Sequence, residues 1–191
     1  MIDYVKKIAD VKEYTEQAVK KSRFEHSVRV AEMCARLCRY YNLNEEKGYL
    51  AGIGHDMCKD MDPDNQIDLA VRDGHKILDF EIRHPSLLHG RASAVLLKEK
   101  FLIYDEDILE AVANHTSGAI GMCDLSKCLF LADKIEPGRP QSTKEYRERL
   151  FKMSLKDMFY SVFQENYEYI CKKGCEVYPG TEDMLEYYKT H

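Results

Sequence analysis

Helix-start and helix-stop signals recur along this chain of 191 residues, and they constrain its fold more than any other feature. Asn44 and Asp105 each precede a segment whose apolar residues follow a helical spacing, and Asp62-Pro63 combines an N-cap with proline at the first helical position. Residues 137–140, Pro-Gly-Arg-Pro, form a firm break. No segment shows a convincing strand pattern. The sequence therefore predicts an all-α fold, a single domain over residues 1–191 with about nine or ten helices.

The helical segments can be placed one by one from their start and stop signals. They cover residues 2–21, 23–41, 44–56, 62–72, 86–101, 105–115, 124–135, 142–150, 154–173 and 181–188. Further expected start residues are Asp124, Ser142, Ser154 and Thr181. Residues 75–84 have no readable pattern, although Pro85 disfavours a helical conformation at His84.

Composition limits the classes of function. A hydrophobic content of 45%, a charged content of 32% and a net charge of −5 are typical of a soluble globular protein and disfavour a non-specific nucleic-acid binder. The first residues lack the apolar core of a signal peptide, and no apolar run approaches the ~20 residues that span a bilayer. The seven cysteines form no C-x-x-C pair, so we expect reduced, mostly buried thiols in a cytoplasmic protein. The 13 tyrosines and eight methionines leave room for the apolar interface of a homodimer.

The adjacent pair His55-Asp56 stands near the end of a predicted helix rich in small and apolar residues. An imidazole and a carboxylate together suit a divalent ion such as Fe, Mn or Zn. Further residues of the same types lie at or near the ends of other predicted helices, namely His26, His89, His115 and Asp133. If these helix ends meet in the fold, the side chains form a metal site.

Each of these residues also has a purely structural interpretation. His26 and His89 would then be packing or hydrogen-bonded core histidines, and His115 would interact with the C-terminal dipole of its helix. Asp133 interrupts an apolar run, where a carboxylate is costly to bury unless it is paired or bound to a metal. His84 is ambiguous because it lies close to His89 and precedes a proline. Spacing alone leaves a metal site and unconnected side chains both open.

Five ordered blocks of the sequence resemble those of the HD-domain metal-dependent phosphohydrolases, and more closely their YqeK-type branch of symmetrical diadenosine tetraphosphate hydrolases. The blocks are Arg23-Phe24-Glu25-His26, His55-Asp56 with Lys59, Leu87-Leu88-His89-Gly90, Asn114-His115-Thr116-Ser117-Gly118, and Leu131-Ala132-Asp133-Lys134-Ile135-Glu136-Pro137. Tyr178-Pro179 also resembles this branch. The resemblance spans residues 23–188, which is nearly the whole chain.

This resemblance implies a helical HD-domain bundle with a core over about residues 22–136, and C-terminal helices at 142–189 that complete a nucleotide pocket. It implies that one iron ion is held by His26, His55, Asp56 and Asp133, with Mn or Zn as alternative ions. A second ion, where one is bound, would lie beside Asp56 with His89 and His115. The sequence does not tell one ion from two.

The resemblance also implies an enzyme that cleaves diadenosine tetraphosphate to two ADP with a water activated by the metal. The expected catalytic residues are Asp56, Lys59, His89 and His115. Contacts to the nucleotide are expected from His26, Asp56, His89, His115, Thr116, Asp133, Arg139 and the loop Val177, Tyr178, Pro179, Gly180 and Thr181. Lys59 equally fits an exposed cation at a helix end. No nucleic-acid or membrane partner is expected.

Other functions fit parts of the same pattern. A nucleotidase or a guanosine-polyphosphate hydrolase would use the same ligands, a non-catalytic nucleotide or metal sensor would keep the fold, and a structural helical protein would contain the histidines by chance. Gly52, Gly54 and Gly90-Arg91 depart from the branch and leave the pocket shape open. The glycines at 52 and 54 cost about 1 kcal/mol each in helix propensity relative to Ala. They either allow another helix to approach closely or loosen the turn that carries His55-Asp56.

Overall fold

The structure, a computed structural model, describes residues 3–190; Met1, Ile2 and His191 lie outside this range, as does the predicted helix start at Ile2. Over residues 3–190 the chain forms eleven α-helices, two short 3₁₀ helices and no strand, which confirms the predicted all-α fold. The helices are α1 Tyr4–Ala18, α2 Lys21–Tyr40, α3 Glu45–Gly54, α4 Pro63–Ala70, α5 Asp79–Arg83, α6 His89–Glu99, α7 Glu106–Asn114, α8 Asp124–Ile135, α9 Lys144–Leu150, α10 Leu155–Lys172 and α11 Thr181–Thr190. The 3₁₀ helices are Val71–Asp73 and Pro85–Leu87.

Four of the predicted caps are confirmed. Asn44, Asp62, Asp105 and Ser154 each accept a hydrogen bond from a backbone N–H in the first turn of the helix that follows. Each cap satisfies one of the N–H groups that the first turn of a helix leaves without an internal partner. The starts of α3, α4, α7 and α10 are therefore encoded locally in the sequence.

The predicted cap at Asp124 and the predicted start at Ser142 are wrong, although α8 itself begins at Asp124. α8 is capped one residue earlier by Cys123, whose backbone is extended and whose Sγ accepts a hydrogen bond from a first-turn N–H. α9 is capped by Thr143, because the Ser142 hydroxyl is engaged elsewhere and donates to the carbonyl oxygen of Ile135. In both places two neighbouring residues could have capped the helix, and contacts with other parts of the fold determine which of them does so.

One helix, α5, was not among the ten predicted segments, and it lies in the stretch where the sequence has no readable pattern. Its first turn is fixed by Glu81, whose Oε2 accepts a hydrogen bond from the backbone N–H of Leu78 at 2.9 Å. His84 ends this helix with φ −127° and ψ 61°, the non-helical conformation that Pro85 predicts. Five residues are too few for an apolar period to be recognised.

Two helix ends near the His-Asp pair differ from the prediction. α6 begins at His89 because residues 85–87 form a 3₁₀ turn, and α3 ends at Gly54. His55 and Asp56 therefore lie in a series of tight turns, in which the N–H of Lys59 donates to the carbonyl oxygen of Asp56 at 2.9 Å. His55 itself keeps helical backbone angles, with φ −59° and ψ −38°.

The α2–α3 contact forms the centre of the core. Leu37, Leu50 and Ile53 are fully buried there. At Gly52 the two backbones approach so closely that an added Cβ would lie 2.5 Å from Cα of Ala31. α1 is tied to the same place by Thr15, whose hydroxyl donates to the carbonyl oxygen of Ile53 at 3.2 Å. Of the two interpretations of Gly52, close helix approach is the one that the structure supports.

Within the described range, no helix is long and apolar enough to cross a membrane. All seven cysteines lie in that range and are free thiols. Four of them are buried, Cys123 is partly buried, and Cys171 and Cys175 are exposed.

Candidate active site

The structure brings together the six predicted metal-ligand residues His26, His55, Asp56, His89, His115 and Asp133. They come from α2, α6 and α8 and from the turns that follow α3 and α7, each within two turns of a helix end. All of them line one cavity of about 470 Å³ except His55, which is fully buried beside it.

Three of the histidine rings are oriented by a backbone carbonyl group of their own chain segment. The Nδ1 atoms of His55, His89 and His115 lie 2.6, 2.6 and 2.7 Å from the carbonyl oxygens of the residues three positions earlier. A carbonyl oxygen only accepts hydrogen bonds, so each Nδ1 carries the proton and each Nε2 presents a lone pair. These lone pairs are suited to ligate a divalent ion.

A first group of ligand atoms fits a metal ion. Nε2 of His55 is buried and has no hydrogen-bond partner among residues 3–190, which is costly for a polar atom. It lies 3.7 Å from Oδ2 of Asp56 and 4.0 Å from Oδ1 of Asp133. Nε2 of His26 lies 3.0 Å from that same Asp133 oxygen, and one ligand atom each of His26, His55 and Asp56 fall within 4.8 Å of one another. A cation among these atoms would satisfy the orphaned nitrogen.

A second group consists of Asp56, His89 and His115. Oδ1 of Asp56 lies 2.9 Å from Nε2 of His89 and 3.6 Å from Nε2 of His115. The two Nε2 atoms are only 3.0 Å apart. Since both rings carry their proton on Nδ1 when neutral, the facing lone pairs repel unless a proton or a metal ion lies between them. This group therefore fits an imidazolium or a second divalent ion.

Burial and neighbouring charges set the protonation of the cluster. Burial lowers the pKa of His55 to about 4 and also lowers the pKa values of His89 and His115. Burial opposes ionisation of Asp56 and Asp133, but His55 beside the first and Lys134 beside the second hold these pKa values well below the usual range. At neutral pH the His55 imidazole is therefore neutral and the carboxylates of Asp56 and Asp133 are charged, which are the states that bind metals.

We expect the chelator-treated protein to lose stability as the pH falls from 6.5 towards 4. The unfolded state protonates His55 near pH 6.5, whereas the folded state protonates it near pH 4, so the unfolded state binds more protons in this window. The loss from His55 alone should reach about 2 kcal/mol by pH 5, and His89 and His115 act in the same direction. Urea unfolding at pH 7.5 and pH 5 measures it. The control is a His75→Gln variant, which removes an exposed histidine and should show the same loss. Equal stability of the unmodified protein at the two pH values would contradict the expectation.

Cationic side chains line the same cavity. Nη1 of Arg23 lies 3.0 Å from Oδ2 of Asp56, and Nη2 of Arg139 lies 2.5 Å from Oδ1 of Asp133. Among residues 3–190 the cavity-lining cations are Arg23, Arg29, Lys59, Lys134 and Arg139, against the three carboxylates of Asp56, Asp133 and Glu136. A local excess of positive charge in a protein of net charge −5 favours an anionic ligand such as a phosphate chain.

Lys59 and Thr116 contact the pair His89–His115. Nζ of Lys59 lies 3.1 Å from Nδ1 of His89, and burial lowers the pKa of this amine. Oγ1 of Thr116 lies 3.3 Å from Nε2 of His89 and 3.2 Å from Nε2 of His115. The structure thus places Lys59 in the cavity, and the alternative of an exposed cation at a helix end does not apply.

The predicted nucleotide loop lies at a second, larger cavity of about 1010 Å³. Residues 178–180 line this cavity together with Ser117 and Gly118, which follow Thr116 in the chain. Val177 and Thr181 are not among its lining residues. The hydroxyl of Thr181 donates to the carbonyl oxygen of Tyr178 at 2.6 Å. This hydrogen bond stabilises the conformation of the loop.

His84 lines neither cavity. Its ring lies 4.7 Å from that of Phe80, between centroids, and its Nε2 lies 2.7 Å from Oε2 of Glu176. It therefore joins α5 to the segment that precedes Tyr178.

Comparison with known proteins agrees with this geometry. The family model described as HD domain matches residues 23–138, which include all six clustered residues. The chain belongs to the HD-domain family. A symmetrical bis(5'-nucleosyl)-tetraphosphatase from Staphylococcus aureus is 31% identical over 185 residues, 95% of this chain and 94% of that protein. A protein of the same name from Halalkalibacterium halodurans is 32% identical over 159 residues, 83% of this chain and 84% of that protein.

A solved HD-domain structure extends the similarity to the whole fold. It is the crystal structure of a Clostridium acetobutylicum protein described as a predicted HD superfamily hydrolase involved in NAD metabolism. It matches this HD domain with a TM-score of 0.87 and 29% identity, covering 95% of this chain and 96% of that chain.

Four charged residues of the HD domain's cavity were absent from the predicted site, namely Arg23, Arg29, Lys134 and Glu136. Arg23 and Arg29 stand three residues before and after His26, a spacing that places all three on one side of α2. From this spacing alone, both arginines could have been predicted to lie beside His26. Lys134 and Glu136 lie inside a block that carries the family resemblance, but only their contacts show that they reach the cavity.

Proposed function

We propose that this HD domain is a metal-dependent hydrolase that cleaves diadenosine tetraphosphate symmetrically to two ADP. The observation that carries the proposal is the meeting of six ligand side chains, with the orphaned Nε2 of His55 among them, at a cavity with excess positive charge. The relatives named symmetrical bis(5'-nucleosyl)-tetraphosphatase support the choice of substrate.

The proposed metal ligands fall into the two groups described above. The first ion would be held by His26, His55, Asp56 and Asp133, and a second by Asp56, His89 and His115. We propose iron as the native ion, and the same nitrogen and oxygen ligands also accept Mn or Zn. A bound divalent ion supplies a nucleophile at neutral pH and stabilises charge on phosphoryl oxygens.

The chain's own cations bind and orient the phosphates. Nε of Arg139 donates to the carbonyl oxygen of Asp133 at 2.8 Å, and this residue stands between Gly138 and Pro140, so its guanidinium is held in place. Lys59 and Thr116 offer donors on the opposite side, beside His89. Donors on both sides would align the phosphate chain so that an inner phosphorus lies over the metal ligands.

Symmetric cleavage also requires a seat for one nucleoside. In this proposal the nucleoside occupies the larger cavity, which adjoins the metal cavity through the consecutive residues Thr116 and Ser117. The loop at 178–180 lines it and is carried between α10 and α11. The C-terminal helices would thus complete the nucleotide pocket of a single domain over residues 1–191.

His89 and His115 have two roles that depend on the number of ions. With one ion bound at the first group, the facing Nε2 atoms share a proton and can pass it to the leaving phosphate. With two ions bound, these nitrogens are ligands and cannot act as acids. Metal stoichiometry of the active protein therefore assigns their role.

Product analysis tests the proposed function. Diadenosine tetraphosphate is incubated with the protein and Fe(II) under anaerobic conditions, with Mn(II), and with chelator, and the nucleotides are separated by ion exchange. ADP as sole product, lost with chelator, supports the proposal. AMP together with ATP would contradict the proposed seat of the nucleoside. No turnover by metal-loaded protein would overturn the proposal in favour of nucleoside monophosphates or guanosine polyphosphates, which belong in the same assay.

A further inference from the structure

His26 differs from the other three clustered histidines in what holds its ring. His55, His89 and His115 donate from Nδ1 to uncharged backbone carbonyls of their own segments. Nδ1 of His26 instead faces a carboxylate, Oε1 of Glu136, at 3.1 Å. The two residues are 110 positions apart in the sequence, so this contact exists only in the folded protein.

Glu136 is itself held from several sides. Only 1% of its side chain is exposed. Its Oε2 accepts hydrogen bonds from Nε of Arg29 at 2.7 Å and from the backbone N–H of Gly138, and its Oε1 accepts from Nη2 of Arg29 at 3.3 Å. Both of its oxygens are bound by the Arg29 guanidinium, so it meets His26 as a fixed, ion-paired carboxylate.

Gly138 makes room for this arrangement. A Cβ at position 138 would lie 2.5 Å from Nε and 2.6 Å from Nη2 of Arg29. The guanidinium therefore lies directly against the backbone at Gly138 while it binds Glu136. Arg29 and Gly138 thus hold in place the Glu136 carboxylate that faces Nδ1 of His26.

We propose that Glu136, held by Arg29 and Gly138, is a positioning residue that fixes the ring of His26 and strengthens Nε2 of His26 as a metal ligand. A charged acceptor at Nδ1 determines which nitrogen carries the proton and raises the basicity of the other nitrogen. A backbone carbonyl determines the same proton position but adds less negative charge. The inference rests on the first ion site of the proposed function.

Two substitutions separate orientation from charge. Glu136→Gln keeps an acceptor that can face Nδ1 of His26 and so resembles the carbonyl partners of the other histidines. Glu136→Ala removes the acceptor entirely. The control is Glu25→Gln, which removes an exposed carboxylate next to His26 in the sequence.

The readout is the affinity of the metal-free protein for Mn(II), measured without nucleotide by competition with a fluorescent chelator. We expect Glu136→Ala to weaken binding by roughly 10- to 100-fold, the range for loss of a partner that orients a ligand. Glu136→Gln should weaken it by roughly 10-fold, since orientation is kept and charge is lost. Glu25→Gln should bind as the unmodified protein does.

Thermal melts of the metal-free variants show whether Glu136 contributes only to the stability of the fold. If Glu136→Gln lowers the melting temperature but the folded protein binds Mn(II) with unchanged affinity, the inference is overturned. It is also overturned if the unmodified protein binds no Mn(II). If the unmodified protein binds Mn(II) but does not cleave diadenosine tetraphosphate, the proposed substrate fails, while the ratio of affinities between variants still decides the role of Glu136.

Discussion

Replacing Asp56 with Asn should lower the rate of diadenosine tetraphosphate hydrolysis by on the order of 10³-fold, which corresponds to about 4 kcal/mol of transition-state stabilisation. Asp56 belongs to both ligand groups, with His26 and His55 on one side and His89 and His115 on the other. The amide keeps the size of the side chain but removes the negative charge that both groups share. Bound metal should fall together with activity.

Two measurements check this expectation, namely the rate at saturating Mn(II) and the metal content per protein chain. Asp68→Asn serves as the matched control, because Asp68 is an exposed carboxylate of α4 that lines neither cavity. The control should keep its activity and its metal. Full activity and full metal content in Asp56→Asn would show that this carboxylate is not a ligand, and the proposed mechanism would then fail.

The sequence predicted well those features that depend on a few neighbouring residues. The caps at Asn44, Asp62 and Asp105 each act within one helical turn, and the break at 137–140 is equally local. The candidate ligands could be named because an ordered set of blocks resembles a known family. Their convergence could not be derived from spacing, since His26 and Asp133 are more than 100 positions apart and meet at 3.0 Å only through the packing of α2 and α8.

Features that depend on distant partners escaped the prediction. Glu136 could not be recognised as the partner of His26, because its role requires that a residue after α8 reaches the side of α2. The displacement of the α8 cap from Asp124 to Cys123 has a similar origin: the backbone N–H of Cys123 is held by Glu110 at 2.8 Å. α5 was missed because its five residues carry no period, although Glu81 and Tyr178 join it to the nucleotide loop at 3.1 Å.

Gly52→Ala should cost about 3 kcal/mol of stability, at the upper end of the usual range for overpacking, and should lower the melting temperature by roughly 10 °C. The added Cβ would lie 2.5 Å from Cα and 2.8 Å from N of Ala31. Both are backbone atoms, so no side-chain rotation relieves the overlap and α2 must move away from α3. Alanine gains only about 1 kcal/mol in helix propensity over glycine, which offsets a part of the cost.

The same substitution should weaken metal binding in the protein that remains folded. α2 carries His26, and His55 follows α3 directly, so a wider spacing between these helices separates two ligands of the first ion. The carbonyl oxygen of Gly52 also accepts the Nδ1–H of His55 at 2.6 Å, and a shift of this residue tilts the ring. Mn(II) affinity measured well below the melting temperature should therefore fall together with stability.

Gly54→Ala provides the matched control two residues further along the same helix. A Cβ at position 54 would meet only side-chain atoms, with Cε of Met57 at 2.9 Å and Cδ2 of Leu97 at 3.2 Å. These flexible ends can give way, and the gain in helix propensity of about 1 kcal/mol offsets most of the cost. We expect a stability change within about 1 kcal/mol. Gly54→Ala could instead destabilise the protein as much as Gly52→Ala does. The requirement for glycine at position 52 would then not come from its close approach to the α2 backbone.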